Sequence, residues 1–192
     1  MFEIRPLQPL TLAELQALIV GYTSTANFKV TKIETPDATT ITLYLVPLAS
    51  PYIKRYDPPD AETLEQYARA GRAGFSLGGY IDEQLIALAI AEPHEWNKSL
   101  WVWEFHVAPA QHGRGLGRQL MEALAHKART AGLRTMVCET QTTNVPAIRF
   151  YRSVGFALEG VDVSYYTNTD IQTGEVAVFM KKNLEAQPEA VY

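Results

Sequence analysis

The sequence predicts a mixed α/β domain, one sheet with helices packed on it, and three observations carry that prediction. Short segments of alternating apolar residues crowd between positions 74 and 107. A segment of 3.6-residue period follows at 116–128. Strand-like segments then alternate with one more short helix, and tight turns between neighbouring strands exclude an all-parallel sheet. The 192 residues suffice for one core at roughly 100–200 residues per domain. Residues 1–183 are therefore expected to form a single domain and 184–192 a flexible tail.

From the N-terminus, residues 2–7 alternate apolar and polar and stop before Pro9, which reads as a short strand. Thr11 and Glu14 have capping-box spacing ahead of a helix whose Leu12, Leu15, Leu18 and Ile19 share a face, with Gly21 as its stop. Residues 28–34 and 40–47 pair around the turn-rich segment TPDAT. Pro51, Pro58 and Pro59 mark a loop, after which Asp60 caps a helix closed by Gly71. Residues 74–81 and 84–92 form a hairpin on Asp82 and Glu83, and residues 100–107, rich in Trp and Phe, add a third strand. Leu116, Leu120, Leu124 and Ala128 line one face of the next helix, which Gly132 closes. A strand at 135–140, a helix at 146–154 with Asn144 near its N-cap, and final strands at 158–166 and 175–181 complete the order.

Composition narrows the function classes. Apolar residues are 47% and charged residues 20%, which excludes a disordered or low-complexity chain. The net charge of −4, from 17 basic and 21 acidic residues, argues against a nucleic-acid partner. The single cysteine, Cys138, excludes an internal disulfide and a multi-cysteine metal site, and its place inside a strand predicts a buried, inert thiol. His94 and His106 have no metal-ligand spacing, so no metal is expected. The longest strongly apolar run, residues 85–91, is far short of the ~20 a membrane helix needs. The opening MFEIRPLQPL has no basic stretch followed by an apolar one, and a cytoplasmic location is the expectation.

Two motifs carry chemistry. The first is His112-Gly113-Arg114-Gly115-Leu116-Gly117, after a strand and Pro109 and at the start of an amphipathic helix. Small residues let backbone N–H groups approach an anion, and a helix N-terminus favours negative charge. Arg114 and Arg118 offer charged donors. Arg118 stands where a dinucleotide fingerprint needs glycine, and no Lys-Ser/Thr pair follows as in a P-loop. A plain strand-to-helix turn is the competing reading. The second motif is NVPAIRFYRSVGF, beginning at Asn144 and ending at Phe156. Periodicity alone reads Tyr151 as a core residue beside Phe150 and Val154, and Asn144 as a cap.

Together the two segments resemble the GNAT superfamily of N-acetyltransferases, in which Arg/Gln-x-x-Gly-x-Gly/Ala precedes Asn-x-x-Ala-x-x-Phe-Tyr-x-x-x-Gly-Phe. His112 stands at the Arg/Gln position. Within that superfamily the chain is most similar to the streptothricin acetyltransferases. The supporting residues are PYIKRY at 51–56, Trp96-Asn97, EFHV at 104–107, Glu139-Thr140-Gln141, Gly160-Val161-Asp162 and Glu175-Val176-Ala177. Two departures are Glu104, where those enzymes usually carry aspartate, and Met180 after Phe179, where they carry an aromatic pair.

The resemblance implies a GNAT-like acyl-CoA N-acyltransferase fold, with a mostly antiparallel mixed sheet flanked by helices. It implies direct attack by an amine on acetyl-CoA in a ternary complex, with acetyl-CoA as co-substrate. It places the cofactor on Val107, His112, Gly113, Arg114, Gly115, Leu116, Gly117, Arg118, Asn144, Ala147 and Phe150. Tyr151 is then the general acid for the leaving thiolate, for which a phenol with an ordinary pKa of about 10 is suited. A bulge around Val107 would expose backbone donors for the oxyanion. Glu104 is the carboxylate for the amine, as base or as recognition charge. Tyr56, Trp96, Trp103 and Asp162, with Trp101 and Tyr80 beside them, are expected to line a pocket for a cationic amine, although the tryptophans also suit sheet core. The expected partner is a small-molecule amine, with the chain a monomer or a homodimer. The competing functions are acetylation of a protein N-terminus or lysine, and non-catalytic acyl-CoA binding.

Overall fold

The computed structural model describes residues 1–185. In chain order the elements are β1 (Phe2–Pro6), α1 (Leu12–Leu18), β2 (Tyr22–Glu34), β3 (Thr39–Lys54), α2 (Ala61–Gly71), β4 (Leu77–Ile81), β5 (Gln84–His94), β6 (Ser99–Val107), α3 (Leu116–Thr130), β7 (Thr135–Gln141), α4 (Val145–Ser153), β8 (Ala157–Asp162), α5 (Asp170–Thr173) and β9 (Ala177–Asn183). A 3-10 turn, Pro109–Gln111, precedes the glycine-rich segment. Seven strands form one sheet in the order β1-β4-β5-β6-β7-β9-β8, and β2 and β3 form a second. The chain divides into two compact units.

The first unit comprises Met1–Val20, Tyr56–Cys138 and the described residues from Lys182 on. Strands β1, β4, β5 and β6 pair antiparallel, and β6 pairs parallel with β7 from Ser99↔Thr135 to Val102↔Cys138. The β4–β5 hairpin turns on Asp82 and Glu83, both at positive φ (48° and 62°), the conformation whose twist matches the flanking strands. Strand β5 is buried from Leu85 to Ala91, and its Leu88 and Ile90 pack with Leu15, Leu18, Ile19, Ala70 and Tyr80. Helix α3 turns Leu116, Leu120, Leu124 and Ala128 inward, the face its period predicts, with Met121 beside them. Cys138 is buried. Of the expected tail, residues 186–192 lie outside the described residues. Leu184 is buried, and its N–H donates to the Arg134 carbonyl at 2.8 Å.

Helix α1 begins with the expected capping box. The Thr11 hydroxyl accepts from the Glu14 N–H (3.2 Å), and the Glu14 carboxylate accepts from the Thr11 N–H (2.9 Å). Replacing Thr11 with alanine leaves one helix donor without its acceptor and is expected to cost about 1 kcal/mol. The melting point should fall by about 2–4 °C. A circular-dichroism melt within half a degree of wild type would contradict this role.

The second unit comprises Gly21–Arg55 and Glu139–Lys181. Its β2–β3 ribbon is longer at both strands than the sequence pattern predicts, and it includes Pro51. Residues 48–51 fall in a register shift between Ala26↔Pro47 and Ser24↔Tyr52, where a proline deprives no ladder partner of an N–H. Asn144 caps α4 by accepting from the Ala147 N–H (3.2 Å). Helix α4 lies against β2, with the Arg152 guanidinium 5.4 Å from the Phe28 ring centre. At the base of the ribbon Lys54 bonds both oxygens of Glu175 (2.7 and 3.0 Å).

Strand β8 pairs antiparallel with β9 but stops at Asp162 rather than Tyr166, and β9 starts at Ala177. The buried Asp170 side chain accepts from the N–H groups of Tyr166 (2.9 Å) and Thr167 (2.7 Å). That curls the chain into the short helix α5 and takes those donors away from any ladder, a turn the period-2 pattern does not reveal.

Candidate active site

In the first unit the site grows from the end of β6. Ile90 pairs with Glu104 and Ala91 with Val102, so Trp103 is an extra residue on β6. The bulge expected around Val107 therefore sits four residues earlier, and Val107 pairs in register with Ala87. An extra residue inverts the strand's alternation beyond it. Val102 is core, while Glu104 and His106, two apart and on one face, are only partly buried.

Glu104 accepts two hydrogen bonds there. The Tyr67 hydroxyl of α2 donates to its Oε1, and the His106 Nε2 lies 2.6 Å from its Oε2. Burial, reinforced by the Glu104 charge, pushes the Tyr67 hydroxyl well above the usual tyrosine range, so it stays a donor. Glu-x-His on a strand was a readable sign of this pair. Tyr67 lies 37 residues from Glu104 and had no local signal.

The Ala108 N–H donates to the Ile86 carbonyl (2.8 Å), so the ladder's alternation turns the Val107 N–H away from β5. It faces the edge on which the β7 register has ended, at Val102↔Cys138. A backbone donor so placed suits a developing oxyanion. The Val107 carbonyl accepts from His112 Nε2 at 2.8 Å, so the His112 side chain ties the glycine-rich turn to the strand end. The departure at His112 thus becomes a brace.

The turn itself bends through Gly113 (φ 75°) and Gly115 (φ 78°), and Gly115 is the N-cap of α3 with no side-chain cap bond. A Cβ on either glycine would meet nothing within 4 Å, so backbone conformation and not crowding demands glycine. Gly115 offers the first α3 amides no N-cap side chain, which fits an anion such as a pyrophosphate. Arg114 bends back to bond Gln111, and Arg118 lies 3.9 Å from Glu122. Leu116 is buried and anchors the helix start, and Gly117 follows it.

The expected acceptor-side residues are dispersed in this unit. Tyr56 packs partly buried against the same cluster as Tyr67. Tyr80 is core, with the Arg5 guanidinium 4.1 Å from its ring centre. Trp101 stacks on His94 (5.7 Å) and lies tilted against Trp103 (5.6 Å), and the half-exposed Trp103 bonds Glu92 (3.3 Å). Trp96, 85% exposed in the turn before β6, stands apart from Glu104, at the opposite end of that strand. Among the described residues no group of three or more His, Cys, Asp or Glu side chains gathers as a metal site. No helix among them is long and apolar enough to cross a membrane.

In the second unit α4 holds the other predicted residues. Tyr151 is 7% exposed, its ring 5.6 Å from Phe150 and 5.5 Å from Phe156. Ala147 is the residue whose N–H Asn144 caps. Asp162, at the end of β8, accepts from the Ser164 N–H (3.0 Å). The Tyr166 hydroxyl donates to Glu139, a contact outside the motifs.

Residues 42–156 match the profile of the Acetyltransferase (GNAT) family. Over 183 residues the chain is 30% identical to the streptothricin acetyltransferase of Streptomyces lavendulae, which spans 93% of each protein. The crystal structure of nourseothricin acetyltransferase superposes with a TM-score of 0.75 at 30% identity, over 96% of this chain and 99% of that one. A Bacillus anthracis str. Ames structure solved in complex with acetyl coenzyme A superposes with a TM-score of 0.72, over 95% and 99%. At 20% identity that last likeness speaks to the fold alone.

Proposed function

Because this chain belongs to the acetyltransferase (GNAT) family, it is an acetyltransferase, and we propose that it transfers acetyl from acetyl-CoA to a primary amine of a small cationic molecule of the streptothricin type. The observation that supports this acceptor is the likeness, over 93% of each chain, to a streptothricin acetyltransferase. A relative that matched only the cofactor motifs would say nothing about the amine.

In this reading the uncapped start of α3, with Gly113, Gly115 and Gly117, takes the pyrophosphate, and Arg114 and Arg118 add positive charge nearby. Asn144, Ala147 and Phe150 are assigned to the cofactor by the family motif. The Val107 N–H polarises the thioester carbonyl. Glu104 supplies negative charge for the ammonium, with Tyr56, Trp103 and Asp162 on the acceptor side. The amine attacks the carbonyl carbon, the C–N bond forms and the C–S bond breaks. Of the two protons the ammonium loses overall, one is released to solvent. The leaving thiolate takes a proton from Tyr151, which the second amine proton replaces.

A thiol-release assay with acetyl-CoA against streptothricin, polyamines and peptides tests this. Streptothricin or a polyamine is expected to exceed peptides in kcat/KM by at least tenfold. Turnover of peptides with none of the small amines would transfer the assignment to a protein acceptor.

A further inference from the structure

We propose that His106 takes the proton of the incoming amine, with Glu104 orienting its ring and Tyr67 positioning Glu104. The assignment rests on acetyl transfer to an amine, as proposed above.

Three side chains from two elements form one directed chain. Tyr67 Oη–H donates to Glu104 Oε1, and His106 Nε2 lies 2.6 Å from Glu104 Oε2. A carboxylate only accepts, so Nε2 carries a hydrogen, and the lone pair of the neutral imidazole is on Nδ1. Both Glu104 oxygens are already occupied. The His106 ring has no second hydrogen-bond partner among the described residues. Nδ1 is thus the basic atom of the trio left to meet a substrate.

The geometry suits a proton acceptor in two further ways. The His106 and Glu104 side chains are 19% and 22% exposed, shielded yet within reach of a small molecule. His106 also immediately precedes Val107, whose N–H faces away from β5, so the acceptor and the proposed oxyanion donor leave the same strand end. The bulge at Trp103 is what turns Glu104 and His106 out of the core. In the step itself the ammonium N–H bond breaks, the proton passes to Nδ1, and the nitrogen keeps the electron pair that attacks the carbonyl carbon. The imidazolium later returns the proton to water.

The test uses the full chain and an amine it acetylates. His106→Gln keeps a donor for Glu104 but has no basic nitrogen. It is expected to lose at least tenfold in kcat, with acetyl-CoA affinity within twofold of wild type and an unchanged melting point. His106→Ala should lose as much and regain activity with added imidazole, whereas Glu104→Ala should not respond to imidazole. Tyr67→Phe, at a positioning residue, should lower kcat three- to tenfold without changing KM for acetyl-CoA. Retention of more than half the wild-type kcat by His106→Gln overturns the assignment. So does a His106→Ala variant that imidazole leaves unchanged. Absence of wild-type turnover on every amine is a different failure, because it removes the acetyl-transfer reading first and this assignment with it.

Discussion

Replacing Tyr151 by phenylalanine is expected to lower kcat by about 10²-fold while acetyl-CoA still binds. The ring is 7% exposed and packs at a tilt against Phe150 and Phe156, with centres 5.6 and 5.5 Å away. Phenylalanine preserves that ring packing and removes one oxygen, and a thermal melt of the variant separates any loss of stability from the loss of turnover. In the role proposed for Tyr151, what is lost is the proton for the leaving thiolate. A factor of 10² corresponds to about 2.7 kcal/mol of transition-state stabilisation. In that proposed role the acid acts on the departing sulfur and not on the bound ground state, so the loss should fall on kcat and spare KM for acetyl-CoA. Steady-state thiol release and calorimetric titration with acetyl-CoA separate the two. Unchanged turnover of an identified acceptor would remove Tyr151 from the chemistry.

The Gly21→Ala substitution is expected to be the most damaging small change to stability, by about 3 kcal/mol. A Cβ at Gly21 would lie 2.1 Å from the Lys54 carbonyl oxygen and 3.0 Å from the Arg55 Cα, and the residue sits at φ +106°. Both neighbours are backbone, so nothing flexible can yield. Relief requires the start of β2 to move away from the end of β3, where Tyr22 pairs with Lys54 and Lys54 meets Glu175. At roughly 2–4 °C per kcal/mol for a chain of this size, the melting point should fall by about 6–12 °C. An alanine variant that melts within 2 °C of wild type would show that the strand ends are looser than they stand.

At Gly21 the local sequence and the tertiary structure assign different roles. Position 21 follows an amphipathic helix, so a helix stop is its local meaning. The helix ends at Leu18, and Gly21 serves instead the close approach of two backbones. That approach involves Lys54, 33 residues on, and no periodicity reports it. The β2–β3 ribbon shows the same limit. Pro51 reads as a strand breaker until the register shift that accommodates it is seen.

Caps, helix faces and the two glycine-containing motifs were legible because each is decided within a few residues. Thr11 with Glu14, Asp60 with Thr63 and Asn144 with Ala147 are bonds between positions three apart, and one chain turn brings them together. By that same local logic the sequence alone determined the element order apart from α5, the glycine-rich entry to α3, and the family. Tertiary structure decided which way the end of β6 faces. The bulge at Trp103 depends on how β5 and β6 pair, and it inverts the alternation that places Glu104 and His106. Tyr67 reaches Glu104 only because α2 packs on β5 beside that strand. Register and helix packing are set by the summed burial of many residues, so no single stretch of sequence encodes the trio they assemble.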